Sequence, residues 1–287
     1  MTSVGLSTQN KRLISHTVLY IVLAIIAVIA LFPMVYVALA SFRTDQEIFT
    51  YALPFSKNTI IPVNWTMENY REIFDKFQFA TPMKNTFIVV AVLVPVNILI
   101  SSLAGYAFAF FNFRGKKALF AIFIVSFMVP IDSIALPLYS FIASLKLVDT
   151  YWALILPSVS SGLAMFLFTQ FFKGVPESFL EAARIDGANL IQVFLKIVLP
   201  LSIPVVITAG LMVFVNEWNS YLWPLLVTRS PSVRTIQVSL AYFKDEHETF
   251  WSFIYAASTI SALVPILFFL PLQKYFVEGV TSSGVKG

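Results

Sequence analysis

Six long stretches of this chain carry almost no charge, and each is long enough to cross the apolar interior of a bilayer as a helix. They run Leu13–Phe42, Met83–Phe111, Ala118–Phe141, Trp152–Phe172, Leu201–Leu226 and Trp251–Tyr275. A spanning helix needs roughly 20 consecutive apolar residues, because lipid offers backbone N–H and C=O groups no partners and the helix must satisfy its own. The chain is 58% hydrophobic and 12% charged, against the roughly one-quarter charged residues usual in a soluble domain. The sequence therefore predicts an all-α integral membrane protein of six transmembrane helices, with both termini on one side. The first stretch follows Lys11 and Arg12 and contains Ala38-Leu39-Ala40, a superficial match to a cleaved signal. A signal's apolar region is about 7–15 residues, so this longer run reads as a retained first span.

Putting the termini in the cytoplasm places ten of the 19 Lys and Arg inside and nine outside, a weak positive-inside bias. The clearest single indicator is the tight turn Asn112-Phe113-Arg114-Gly115-Lys116-Lys117, whose three cations would be costly to carry across a membrane. The expected organisation is an N-terminal cytoplasmic tail over 1–12, a transmembrane domain over 13–277 and a C-terminal cytoplasmic tail over 278–287. External loops fall at 43–82, with a short helix around Glu68–Lys76, and at 228–250, with the acidic cluster Asp245-Glu246-His247-Glu248. Asn64-Trp65-Thr66 matches a glycosylation sequon, a pattern frequent by chance.

Several functions are disfavoured by composition. The net charge of +4 is small and the basic residues are dispersed, so no nucleic-acid surface is indicated. Cysteine is absent and the two histidines, His16 and His247, lie at opposite ends of the sequence, which removes thiolate chemistry and leaves metal or triad catalysis little to build on. No phosphate loop of the form G-x-x-x-x-G-K-[ST] occurs; Gly115-Lys116-Lys117 lacks the earlier glycine and the hydroxyl residue. If ATP drives this protein, another chain must bind it.

The loop at 173–200, between spans four and five, is roughly 28 residues long, where a simple connection needs 2–8. Val175-Pro176-Glu177 has the form of a helix start, with proline tolerated in the first turn and an acid near the positive end of the helix dipole. Phe179, Leu180, Ala182, Ala183 and Ile185 continue a short, partly apolar helix. Ala182 and Ala183 are small enough to let another surface approach, Glu181, Arg184 and Asp186 offer polar contacts, and Gly187, followed by Ala188, breaks or bends the helix. A second helical stretch, Asn189–Val198, ends at Leu199-Pro200. An amphipathic helix lying on lipid headgroups is the competing reading, although it has no need of Gly187 or of two alanines beside acids.

The segment EAARIDGANLIQVFLKIVLPLSIP, Glu181–Pro204, resembles the EAA signature of ABC-importer permeases, with its acidic-Ala-Ala, Gly and Leu-Pro elements in register. FPMVYVALASFR, NWTMENYREIF, PIDSIALPLYSFIASLKLVDTYWALILP and NEWNSYLWPLLV extend the likeness over nearly the whole chain, on the side of the smaller permease of maltose-type carbohydrate importers. The resemblance implies the type I importer permease fold in a prokaryotic plasma membrane. It implies a cytoplasmic coupling helix between helices 4 and 5, seated in an ATPase cleft through Glu181, Ala182, Ala183, Arg184, Asp186, Gly187 and Ala188. The partners it implies are a homologous second permease, two ATPase subunits that bind the ATP and Mg, and an external solute-binding protein, with no cofactor in this chain itself. The similar C-terminal ending implies that Val285, Lys286 and Gly287 form a second ATPase contact; a disordered end is the alternative.

Polar groups in a bilayer usually face a cavity or a partner. Asn216, Asn219, Ser220 and Trp223 recur at i, i+3, i+4 and i+7, one face of a helix, with Glu217 on the neighbouring face. Amides suit sugar hydroxyls and an indole suits the C–H face of a sugar ring. At 1.5 Å per residue Asn216 lies about 22 Å from Leu201, Asp132 about 21 Å from Ala118, and Ser158, Ser160 and Ser161 about 9–14 Å below the external end of span four. These depths define an expected solute pathway in the outer half of the membrane. Asn97, Ser126 and Ser158 read equally as interhelical glue, Asp132 as the cap of a helix restarted after Pro130, and Ala104-Gly105, Ala107 and Ala109 as close helix packing. A glycerol-phosphate or polyol cargo fits the same machinery. An ion-coupled secondary transporter, with Asp132 and Glu217 titrating, is the alternative of another class.

Overall fold

The computed structural model describes residues 8–243 and 249–284. Its helices are, in chain order, α1 (Thr8–Ala40), α2 (Asp45–Thr50), α3 (Lys57–Ile60), α4 (Glu68–Asp75), α5 (Ala80–Phe110), α6 (Lys116–Met128), α7 (Ile131–Ser144), α8 (Tyr151–Ile155), α9 (Gly162–Lys173), α10 (Glu177–Ile185), α11 (Leu190–Val193), α12 (Leu199–Leu201), α13 (Ile203–Trp218), α14 (Leu222–Val227), α15 (Ile236–Ala241) and α16 (Trp251–Gly284). The chain divides into two units. The first takes the residues up to Phe77 with Phe243–Ile260, and the second takes Gln78–Tyr242 with the residues from Ser261 on.

In the first unit every residue of α1 from His16 to Val35 is exposed, the all-round apolar surface of a helix meant for lipid or a membrane partner. Beyond it the chain is organised by polar side chains. Arg43, 1% exposed, bonds Glu47 and donates to the carbonyls of Thr59 at 2.9 Å and Asn58 at 2.7 Å. Glu47 accepts N–H groups from Val63 and Asn64, and Asn69 Nδ2 donates to the carbonyls of Ser41 and Arg43. The helix expected near Glu68–Lys76 is α4.

In the second unit α5 packs along α9 and comes close to it at Gly105, where an added Cβ would lie 2.6 Å from Phe168 Cβ. The expected close packing of the small residues in span two is thus found at Gly105. One buried cluster joins Leu93 and Tyr106 of α5, Phe168 and Phe172 of α9, and Val205, Ala209 and Val213 of α13.

Among the described residues, four helical stretches are long and apolar enough to cross a membrane, or six when two sharply bent pairs each count as one span. Span three is not the straight rod expected over Ala118–Phe141, because α6 and α7 meet at 96°. Pro130 disfavours helix at Val129, which is extended (φ −76°, ψ 117°), and α7 restarts behind it. At the start of the span expected over Leu201–Leu226, whose helix ends at Trp218, the chain bends by 80° between Leu190–Leu201 and Ile203–Trp218. There Ser202 is fully buried with its hydroxyl on the Leu199 carbonyl, and Pro204 starts α13. The loop expected at 228–250 also holds structure, for α15 buries Ile236 and Val238 almost completely.

Candidate functional site

The loop between α9 and α13 is built onto the core of the spans rather than hung from it. On α10, Leu180 and Ala183 turn inward and join the cluster of Phe168, Phe172, Val205 and Ala209. Glu181, Ala182, Ile185 and Asp186 face outward. Ala183 is 6% exposed and Ile185 87%, so of the two alanines expected to meet a partner, Ala182 carries the outward position and Ala183 the inward one. Arg184 continues the helix.

Gly187 does not bend a continuing helix; it closes one. Its φ of +82° is a left-handed conformation that costs a β-carbon residue energy. The Asp186 N–H closes the last ordinary helical turn on the Ala182 carbonyl at 3.0 Å, and the Ala188 N–H reaches back to the Ala183 carbonyl at 2.9 Å, the 6→1 bond of a Schellman helix end. Asn189 then caps α11, its side chain accepting from the Gln192 N–H while Gln192 Oε1 accepts from the Asn189 N–H, both at 2.9 Å. The expected second stretch begins at this cap and widens over Phe194–Val198 into a π-helix. Between α10 and this turn lies a hollow of about 870 Å³, lined by Ser178, Phe179, Ala182, Asp186, Gly187, Gln192 and Lys196 among others. Its lining combines one acid and one base, Asp186 and Lys196, with the small residues Ala182, Ala183, Gly187 and Ala188.

The expected solute face is only partly realised. α13 ends at Trp218, Asn219 is its C-cap, and Ser220 and Tyr221 intervene before α14 starts at Leu222, so Asn216, Asn219, Ser220 and Trp223 do not share one helical face. Trp223 is 5% exposed. Its ring packs with Val89, Ile142, Leu154 and Val227, and its Nε1–H donates to the Ala153 carbonyl at 2.9 Å. Trp223 is therefore a core residue, and the helical spacing misplaced it because the helix stops five residues earlier, at Trp218. Asp132 is corrected too: it is exposed in the first turn of α7, past the 96° bend. A ruler laid straight from Ala118 does not measure its depth.

What remains is a smaller polar set. Asn216 Nδ2 donates to Glu217 Oε1 at 3.4 Å, and Ser158 lies near the same carboxylate. Asn97, 1% exposed, donates to the Ser158 carbonyl at 3.0 Å and accepts from Ser101; it ties helices together. Ser161 caps α9 through the Ala164 N–H. Asn219 is exposed, with its amide on the Val215 carbonyl at 2.8 Å. Val285, Lys286 and Gly287 lie outside the described residues.

Two further residues were missed. Trp218, 1% exposed, stacks on Phe214, meets Phe87 edge-on and donates to the Ser261 carbonyl at 3.0 Å. Gln237 of α15 donates to the Trp218 carbonyl at 3.3 Å and to Asn219 Oδ1 at 3.5 Å. The signal for Trp218 was present, since an indole in an apolar span needs an N–H partner. Gln237 had none, because its position depends on a helix that looked like loop.

The model of the binding-protein-dependent transport system inner membrane component family matches residues 97–282. The chain belongs to this family. The match takes in α10, Gly187 and the whole of α13. Among relatives, the arabinooligosaccharides transport system permease protein AraQ of Halalkalibacterium halodurans is 34% identical over 92% of this chain and 94% of its own. The sn-glycerol-3-phosphate transport system permease protein UgpE of Rhizobium meliloti is 32% identical over 96% and 99%. A chain of a bacterial ABC transporter that imports the acidic polysaccharide alginate superposes with a TM-score of 0.80 at 22% identity, over 96% of this permease and all of that chain. That likeness shows the fold, the all-α ABC type I permease fold.

Proposed function

We propose that this permease passes a sugar or oligosaccharide across a prokaryotic plasma membrane, with both termini in the cytoplasm, receiving it from an external solute-binding protein. It pairs with a homologous second permease and is driven by two ATPase subunits that hold the ATP and Mg. The supporting observation is the two-sided helix α10. Its inner residues Leu180 and Ala183 belong to the same buried cluster as α9 and α13, so a push on its outer side reaches the spans through close-packed side chains. Its outer side, Ala182, Asp186 and Gly187 beside Lys196, forms the hollow, which suits a protein surface carrying both charge signs. Val285–Gly287 supply a second ATPase contact in this reading.

The cargo reading rests on Asn216, Glu217, Asn219 and Ser220 near the end of α13, where amides and a carboxylate suit hydroxyl groups. A glycerol-phosphate cargo is the second reading, favoured by the name of the UgpE relative. An ion-coupled carrier using Asp132 and Glu217 would keep its uptake when the ATPase is removed and lose it with the ion gradient. The deciding experiment is co-purification with the ATPase, followed by ATPase assays with the solute-binding protein over a panel of sugars and sugar phosphates. Stimulation by a neutral sugar supports the first reading, stimulation by a phosphorylated solute alone moves it to the second, and no associated ATPase at all overturns both.

A further inference from the structure

The loop that follows α1 leaves and returns at one level. The Thr66 N–H donates to the Phe42 carbonyl at 2.9 Å, and the Arg43 guanidinium holds the carbonyls of Asn58 and Thr59. Between these anchors the chain turns out a charge-free segment, Phe49-Thr50-Tyr51-Ala52-Leu53-Pro54-Phe55. Phe49 is 62% exposed, Leu53 83% and Phe55 72%. The charges that precede it are consumed internally: Arg43 and Glu47 bond each other, and Asp45 accepts from the Ser252 N–H and hydroxyl. Three large apolar side chains are therefore bare on a segment whose neighbouring charges point elsewhere.

What covers them is indicated by where the segment starts. α1 is exposed on all sides from His16 to Val35, and its apolar run ends at Phe42, which packs against Trp65 at 5.4 Å and Tyr70 at 5.3 Å between ring centroids. Tyr70 also shares a hydrogen bond with Ser41. Aromatic rings with a polar edge gather where hydrocarbon meets headgroups, so this cluster marks the membrane boundary, and the loop is tied to it at both ends.

We propose that Phe49–Phe55 is a membrane-interface anchor, with Phe49, Leu53 and Phe55 buried in the headgroup and upper acyl region of the same bilayer that surrounds α1. Burial of exposed apolar side chains stabilises such contact roughly in proportion to area. Lys57, exposed just past the segment, is placed to meet a lipid phosphate. The contact would fix the loop's height on the membrane without any protein partner.

The chain contains no cysteine, so one introduced cysteine gives this subunit a single label, with the partner subunits in cysteine-free form. Leu53→Cys and, as a water-facing control, Arg71→Cys carry an environment-sensitive fluorophore in the full transporter complex, reconstituted in nanodiscs with and without phospholipids spin-labelled near the glycerol. The expected result is blue-shifted emission at position 53 that the spin-labelled lipid quenches without added solute-binding protein, and neither effect at position 71. Emission at 53 that matches 71 and ignores the lipid overturns the proposal. If emission at 53 ignores the lipid and responds to the solute-binding protein instead, the segment docks protein and the proposal is equally overturned. Phe55→Cys repeats the measurement should Leu53→Cys assemble poorly.

Discussion

Arg43 Nε donates to Glu47 Oε1 at 3.0 Å, and the two side chains are 1% and 5% exposed. Removing one partner of so buried a pair strands the other charge and costs about 3–5 kcal/mol. Glu47→Ala should therefore loosen the segment between residues 43 and 66, read as faster proteolytic nicking there in the purified complex. Burial alone would push the Glu47 carboxyl up, but N–H bonds from Val63 and Asn64 and the Arg43 guanidinium outweigh it and hold its pKa below the ordinary value of 4.5. A depressed carboxyl stabilises the fold above its unfolded pKa and loses that contribution as pH falls through the folded one. Protection should hold from neutral pH down to the ordinary carboxylate value of 4.5 and be lost below it, as pH falls through the depressed folded pKa, and Glu47→Gln should flatten that decline.

Gly187 meets nothing within 4 Å of an added Cβ, so the effect of a substitution there is conformational. Forcing a β-carbon residue to φ +82° costs about 1–2 kcal/mol, more for a β-branched one. Gly187→Val should leave membrane insertion intact while lowering ATPase co-purification and ligand-stimulated hydrolysis, and Gly187→Asn should be milder. Normal uptake and normal ATPase association in Gly187→Val would sink the coupling role of α10.

Asn219 and Trp223, four residues apart, should separate by phenotype. Trp223→Ala empties a buried site and costs about 3–5 kcal/mol, so the complex should melt earlier with its solute preference unchanged. Asn219 is exposed and bonds only backbone and Gln237 among the described residues, and its loss costs about 1 kcal/mol or less. Asn219→Ala should change the solute concentration needed to stimulate the ATPase, with assembly unaffected. Lost assembly in Asn219→Ala would make it structural.

The contrast between these two residues shows what could be read from the sequence. Helical periodicity reports a face only while the helix continues, and α13 stops at Trp218; Asn216 and Glu217 sit before that point and Trp223 after it. Pro130 was visible as a break and Pro200 as the end of a helical stretch, but the 96° and 80° turns near them depend on what the following segment packs against, and no local pattern encodes that. The elements of the coupling loop were legible where they carry their own chemistry, in the proline at the start of α10 and the helix-breaking Gly187, whereas the paired caps Asn189 and Gln192 were not among the features read from the sequence. The inward turn of Ala183 was not, since an alanine suits a core and an interface equally. Nor was the Arg43 clamp, whose acceptors lie 15 and 16 residues away.

Two glycines of the spans should respond in opposite ways to the same change. At Gly105 an added Cβ would lie 2.6 Å from Phe168 Cβ and 3.1 Å from the Thr169 nitrogen, the nitrogen being backbone and unable to rotate away. Gly105→Ala must part α5 from α9 and should cost about 1–3 kcal/mol. At Gly210, inside α13, the nearest atom is Val94 Cγ1 at 3.8 Å, an ordinary contact. The methyl group fits there, and replacing glycine by alanine in a helix interior gains roughly 0.5–1 kcal/mol. Thermal unfolding of the purified complex should therefore shift down for Gly105→Ala and stay level or shift up for Gly210→Ala. Equal shifts would mean that these glycines act through general helix propensity, and the tight crossing of α5 and α9 would lose its support.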